Sequence, residues 1–164
     1  MKYIRKILFL FVICILFIPL VYADNDKNLV NIYLFYSDSC PHCASEKELL
    51  NEIEQDYSNV RIYKYEVNTG ENTELFKDVA ELLDTQITGV PFTVIADRVY
   101  KGFNYDNYKS KFLGTIEYYS NHGYKDLVGE YIGGIELPSY EIEDNEDFYE
   151  YINNYGNHTI SFLG

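Results

Sequence analysis

The chain has 164 residues, 13 of them basic and 26 acidic, for a net charge of −13, with 47% hydrophobic and 17% aromatic content. That length and apolar share suit one compact domain with its own core. The acidic balance excludes nucleic acid as a partner, because binding it requires Lys and Arg to neutralise phosphates, and it reads as a solubility feature.

The first 23 residues pass from a basic start (Lys2, Arg5, Lys6) through an apolar run, Ile7 to Val21, to the small residue Ala23. This is the layout of a secretory signal, and cleavage after Ala23 is expected. An apolar run of about 15 residues falls short of the roughly 20 that span a bilayer as a helix, so an uncleaved anchor is the alternative. Either way the chain is expected outside the cytoplasm, secreted or tethered at the cell surface. The division that follows is 1–23 as signal peptide, 24–134 as one α/β domain and 135–164 as an acidic, aromatic tail. Cleavage removes Cys14, leaving Cys40 and Cys43. A bridge closing so short a loop removes little entropy from the unfolded chain and makes a poor staple, so the pair points to chemistry.

Leu29 to Tyr36 is a continuous β-branched and aromatic run, the pattern of a strand buried on both faces. Ser37 to Cys40 supply turn and helix-start residues, Pro41 fits the first helical position, and Leu49, Leu50, Ile53 and Tyr57 keep helical spacing to Tyr57. Asn59 to Val67 alternates as a second strand, and Thr73 to Leu83 reads as a second helix. Thr88 to Pro91 break the pattern before a third strand, Phe92 to Ala96. A tight turn at Asp97 and Arg98 leads to a fourth, Val99 to Phe103, giving a hairpin. Asn104 to Asn121 reads as a helix interrupted at Gly114, and Tyr124 to Ile132 as its extension or a separate turn. In the tail, Asn145 to Tyr155 suits a short helix capped by Asp144 or Asn145 and ended by Gly156, on a segment expected to be mostly solvated. The fold class expected is α/β, a central mixed four-stranded sheet flanked by helices in the order β-α-β-α-β-β-α.

The strongest motif is Cys40-Pro41-His42-Cys43 at the junction of the buried strand and the first helix. A sulfur at a helix N-terminus faces unsatisfied N–H groups and the positive end of the dipole, so Cys40 is favoured as thiolate. Because the thiolate is the nucleophile, Cys40 is expected to attack a partner disulfide, and Cys43, one turn on, to resolve the mixed disulfide. His42 adds a donor or positive charge nearby, and Pro41 fixes the turn while withholding a backbone donor the helix start does not need. The same cysteines with His42 could instead carry Cu(I) or zinc, or the fold could hold a client without redox turnover. A structural zinc site, however, needs four ligands, and no second Cys pair remains.

The strand-SDSCPHC-helix start, followed by Gly89-Val90-Pro91 and a β-hairpin, resembles the thioredoxin superfamily over about residues 28 to 122. The resemblance implies that Pro91 is cis and lies beside the cysteines, with Val90 offering its backbone to the substrate chain. The Pro-His dipeptide and Val90 look like DsbA-type oxidases, whereas the spacing to Pro91 leaves no room for their inserted helical domain and resembles thioredoxin or glutaredoxin. Where thioredoxins carry a buried acid and a Trp, this chain has Leu34 and Ser39. The expected function is extracytoplasmic thiol-disulfide exchange with protein thiols, oxidation favoured over reduction, by a monomer recycled by a membrane redox partner. No cofactor is expected beyond the Cys40–Cys43 disulfide itself.

Overall fold

The computed structural model describes residues 27–134 and 146–160, the last five of these for backbone only. Residues 1–26, 135–145 and 161–164 lie outside the described residues, and with them the expectations of cleavage and of a cap at Asp144 or Asn145. The elements run β1 (Val30–Tyr36), α1 (Pro41–Asp56), β2 (Val60–Glu66), α2 (Gly70–Leu82), β3 (Phe92–Ile95), β4 (Arg98–Lys101), α3 (Tyr105–Asn121), α4 (Leu127–Ile132) and α5 (Glu146–Ile160). Four strands form one mixed sheet in the order β2-β1-β3-β4. β2 is parallel to β1, while β3 is antiparallel to both β1 and β4.

The central strand explains the layering. Val30, Ile32 and Leu34 point to one face, where they meet Leu49, Leu50 and Ile53 of α1 and Phe112 and Ile116 of α3. Tyr33 and Phe35 point to the other, against Phe76 and Val79 of α2 and Leu127 and Val128 of α4. A strand covered on both sides needs apolar residues at consecutive positions, which is why β1 shows no alternation in its sequence. Phe35 stacks on Tyr65 and Phe76 and meets Phe92 edge-on, at centroid distances of 5.3, 5.0 and 6.1 Å, so one aromatic cluster ties β1, β2, β3 and α2 together.

Several boundaries differ from the sequence reading, each for a local reason. The hairpin turns at Ala96 and Asp97, with Ile95 paired to Arg98, so Arg98 opens β4. There its guanidinium meets Asp97 at 3.1 Å and Tyr119 Oη at 2.9 Å. Gly114 does not break α3. Its missing Cβ leaves room for Ile152 and Tyr155 of α5, whose side chains would stand only 3.0 Å from a methyl group at that position. α5 likewise runs through Gly156, and its Phe148 is buried against Tyr118 and Tyr119. α4 is a separate helix capped by Asp126, whose carboxylate accepts the Gly129 N–H at 3.0 Å and the Tyr33 hydroxyl at 2.7 Å. α2 begins at Gly70, earlier than the apolar spacing indicates, because its first turn faces solvent. No helix among the described residues is long and apolar enough to cross a membrane.

Candidate functional site

The site forms where β1 ends and α1 begins. Cys40 takes an extended backbone conformation as the N-cap residue of α1, and Pro41 opens the helix without a wasted donor. The Cys40 sulfur accepts the Cys43 N–H at 3.4 Å, filling the place that a Ser or Asp oxygen usually takes at a helix start. It also lies 3.6 Å from the Val90 carbonyl, to which its thiol proton is directed. Both cysteines are thiols, Cys40 partly exposed and Cys43 fully buried.

Val90 reaches the sulfur because β3 lies next to β1, with Phe92 paired to Phe35. The Val90–Pro91 peptide bond is cis, and Gly89, at φ +141°, supplies the backbone conformation that brings the chain into it. The fold thus joins Cys40, Cys43, Val90 and Pro91 although 50 residues separate Cys40 from Val90. His42 stands apart from this arrangement: it is solvent-exposed and forms no hydrogen bond with Cys40 among the described residues, the Cys43 N–H acting as the sulfur's donor.

Burial pushes the Cys43 thiol up to about 12, helped by its bond to Cys40 and by the nearby charges of Cys40 and Glu46, while a hydrogen bond from the Ser37 backbone counters the rise. Beneath the pair lies a residue that sequence reasoning passes over. Glu46 is fully buried, with the Thr93 hydroxyl donating to its Oε1 and no partner for its Oε2. Burial pushes this carboxyl up to about 7, against the Thr93 bond, which lowers it. In the sequence Glu46 stands in a charged stretch, Glu46-Lys47-Glu48. The signal that could have found it is its spacing: Cys43, Glu46, Leu50 and Ile53 share one buried stripe of α1. Leu34, at the strand position where thioredoxins carry their acid, is fully buried and pairs with Thr93. The helix therefore supplies a buried carboxyl where the strand does not.

No group of three or more His, Cys, Asp or Glu side chains among the described residues is placed to hold a metal ion. What the arrangement offers is a partly exposed sulfur at a helix N-terminus, a buried partner sulfur one turn on, and an acid titrating near neutrality below them.

No protein-family model matches the chain, and no curated protein does. Among solved structures it is similar to the glutaredoxin grx-1 of Archaeoglobus fulgidus, at 20% identity over 48% of this chain and 80% of that one, with a TM-score of 0.37. It is similar also to the oxidised form of mitochondrial thioredoxin 3 of Saccharomyces cerevisiae, at 21% identity over 48% and 69%, TM-score 0.33. A thioredoxin-like protein of Clostridium perfringens matches at 20% identity over 62% and 81%, TM-score 0.40. Likeness at this level is no more than likeness; the thioredoxin-like fold stands on the strand order, the pairing directions and the helices on both faces.

Proposed function

We propose that this thioredoxin-fold chain is a thiol-disulfide oxidoreductase acting on protein substrates outside the cytoplasm, with Cys40 as the exchanging sulfur and Cys43 as the resolving one. The observation that carries the reading is the Cys40 sulfur at the N-cap of α1, bonded by the Cys43 N–H and open to solvent beside the Val90 carbonyl. That sulfur is placed for exchange with an incoming chain, to which Val90 offers backbone pairing.

In the oxidising direction a substrate thiolate attacks the Cys40 sulfur of the Cys40–Cys43 disulfide. The S–S bond breaks, Cys43 leaves with the electron pair, and a substrate–Cys40 disulfide forms. A second substrate thiolate then attacks the substrate sulfur of that bond, forming the substrate disulfide and releasing Cys40. To recycle, the Cys40 thiolate attacks a partner's disulfide and Cys43 resolves the product, which reduces the partner. Cys43 must lose its proton in this last step, and its buried thiol resists doing so. Glu46, below Cys43 and titrating near 7, is the group we assign to take that proton and to return it when Cys43 leaves.

We favour oxidation over reduction on the Pro-His dipeptide between the cysteines. Equilibration with glutathione tests the direction: a potential near the about −120 mV of a strong oxidant supports it, and one below about −230 mV turns the reading to a reductase. The extracytoplasmic setting rests on the amino-terminal basic and apolar pattern. Exchange itself is tested by the Cys40→Ala variant, which should lose all turnover of a dithiol-dependent disulfide substrate. Undiminished turnover in that variant would end the proposal.

A further inference from the structure

We propose that Thr93 is a positioning residue for Glu46: its hydroxyl occupies one carboxyl oxygen and so leaves the other, Oε2, to exchange a proton with Cys43. The inference rests on the exchange chemistry proposed above and names the group that prepares its base.

Thr93 is the polar residue of β3, whose other residues are Phe92, Val94 and Ile95, and it is buried, at 1% exposure. A hydroxyl in such a place is destabilising unless it is bonded, and here it donates to Glu46 Oε1. The donor is held rigidly. β3 lies between β1 and β4, with Thr93 paired to Leu34 on one strand and to Tyr100 on the other. A β-branched side chain has few χ1 choices, so the sheet sets the direction of the hydroxyl. Two residues before Thr93 stands Pro91, whose cis bond follows the Val90 carbonyl beside the Cys40 sulfur.

Glu46 is fully buried on α1. Of the buried residues of that helix, Cys43, Glu46, Leu49, Leu50 and Ile53, only Cys43 and Glu46 carry a titratable proton. They stand three positions apart, which makes them neighbours on one helix face. The elements packed on this side of the sheet add little that is polar. β1 contributes Ile32 and Leu34, and α3 contributes Phe112 and Ile116. From β4, Tyr100 stands opposite Thr93 and so faces the same side, with its hydroxyl engaged by Thr115. Among the described residues Glu46 Oε2 has no hydrogen-bond partner. A carboxyl with one oxygen bonded and the other bare has one place to take a proton, and the neighbouring proton on its own helix is that of Cys43.

Thr93 creates that asymmetry. Its bond holds the plane of the carboxyl and favours the charged form, opposing the upward push of burial. Once the Cys40 mixed disulfide has formed, Glu46 takes the Cys43 proton at Oε2 and the Cys43 thiolate attacks the Cys40 sulfur. The mixed S–S bond breaks, the Cys40–Cys43 bond forms, and the partner leaves as its thiolate with the electron pair. Without the hydroxyl the carboxylate is bare at both oxygens. It then keeps its own proton to higher pH and meets Cys43 less often as a base.

The test uses the full chain with glutathione disulfide as the partner, following formation and resolution of the Cys40–glutathione bond by acid quench. The Glu46 carboxyl is read separately, by NMR of carboxyl-labelled glutamate in the dithiol protein. Thr93→Val keeps the branched shape and removes the donor. It should raise the midpoint of the Glu46 titration by about one pH unit, as expected for losing a hydrogen bond to a charged group. Resolution should slow about fivefold at pH 7 and recover toward the parent rate by about pH 9 as the carboxyl ionises, while formation stays within about twofold. Thr93→Ser, which restores the donor, should restore both the midpoint and the rate. In a Glu46→Gln background Thr93→Val should add no further slowing, since the hydroxyl acts through the carboxyl. A Glu46 midpoint that Thr93→Val leaves in place overturns the proposal, as does a slowing that persists in the Glu46→Gln background or falls equally on both steps. If the unsubstituted protein forms no mixed disulfide at all, it is the exchange function that fails, and the positioning role with it, whatever the carboxyl titration shows.

Discussion

Replacing Glu46 by Gln removes a carboxyl and keeps the shape of the side chain, including an oxygen to accept from Thr93. The buried acid titrates at about 7 in the folded protein, against an ordinary value of 4.5. A raised acid binds its proton more tightly in the folded state. Its favourable contribution is therefore complete below the unfolded value and is lost as pH rises through the folded one. At about 1.36 kcal/mol per pH unit of displacement, the folded protein loses roughly 2 to 3 kcal/mol from this group between pH 5 and pH 8. Glu46→Gln has nothing to titrate there. Subtracting the two proteins' unfolding free energies cancels every group they share, so the variant's stability relative to the parent should rise by about 2 to 3 kcal/mol over that interval. Urea denaturation of both proteins as dithiols, at pH 5 and pH 8, measures this difference. A difference constant to within about 0.5 kcal/mol would mean that the carboxyl is solvated and that the proton store assigned to the site is not there.

The same substitution should slow resolution of the Cys40 mixed disulfide about a hundredfold at pH 7, the lower range for losing a general base, as read by quenched-flow trapping with glutathione. Gly129→Ala places a methyl group against the Asp126 carboxylate and 2.6 Å from the Tyr33 hydroxyl, both held by the α4 cap. It should cost about 2 kcal/mol in urea denaturation and leave exchange rates unchanged. Ala96 occupies the first turn position of the β3–β4 hairpin at φ +58°, where a side chain is strained. Ala96→Gly should relieve about 1 kcal/mol and raise the melting temperature.

The elements legible in the sequence are those whose pattern has one cause. β1 is buried on both faces and reads as an unbroken apolar run, and Cys40-Pro41 marks a helix start by two independent preferences. The elements that the pattern misplaces answer to distant partners. Gly114 looks like a helix breaker until α5 packs into the space it leaves. Arg98 looks like a turn residue until Asp97, Tyr119 and the Phe148 ring, 4.5 Å away, gather around it. Glu46 is the most instructive miss, because a carboxylate in a charged stretch is ordinarily outside, and only the tertiary fold shows it roofed by β3.

The antiparallel seam between β1 and β3 carries both halves of the reactive centre, since Cys40 hangs from the end of one strand and Val90 from the start of the other. Strands flanked on both sides by neighbours are the last to exchange their amide hydrogens and the last to part. The spacing between sulfur and carbonyl is thus anchored in the most durable stretch of the molecule, even though the sulfur itself meets solvent. Warming or mild denaturant should leave exchange activity intact until the whole domain melts, with no earlier fading of the kind shown by centres built on mobile loops.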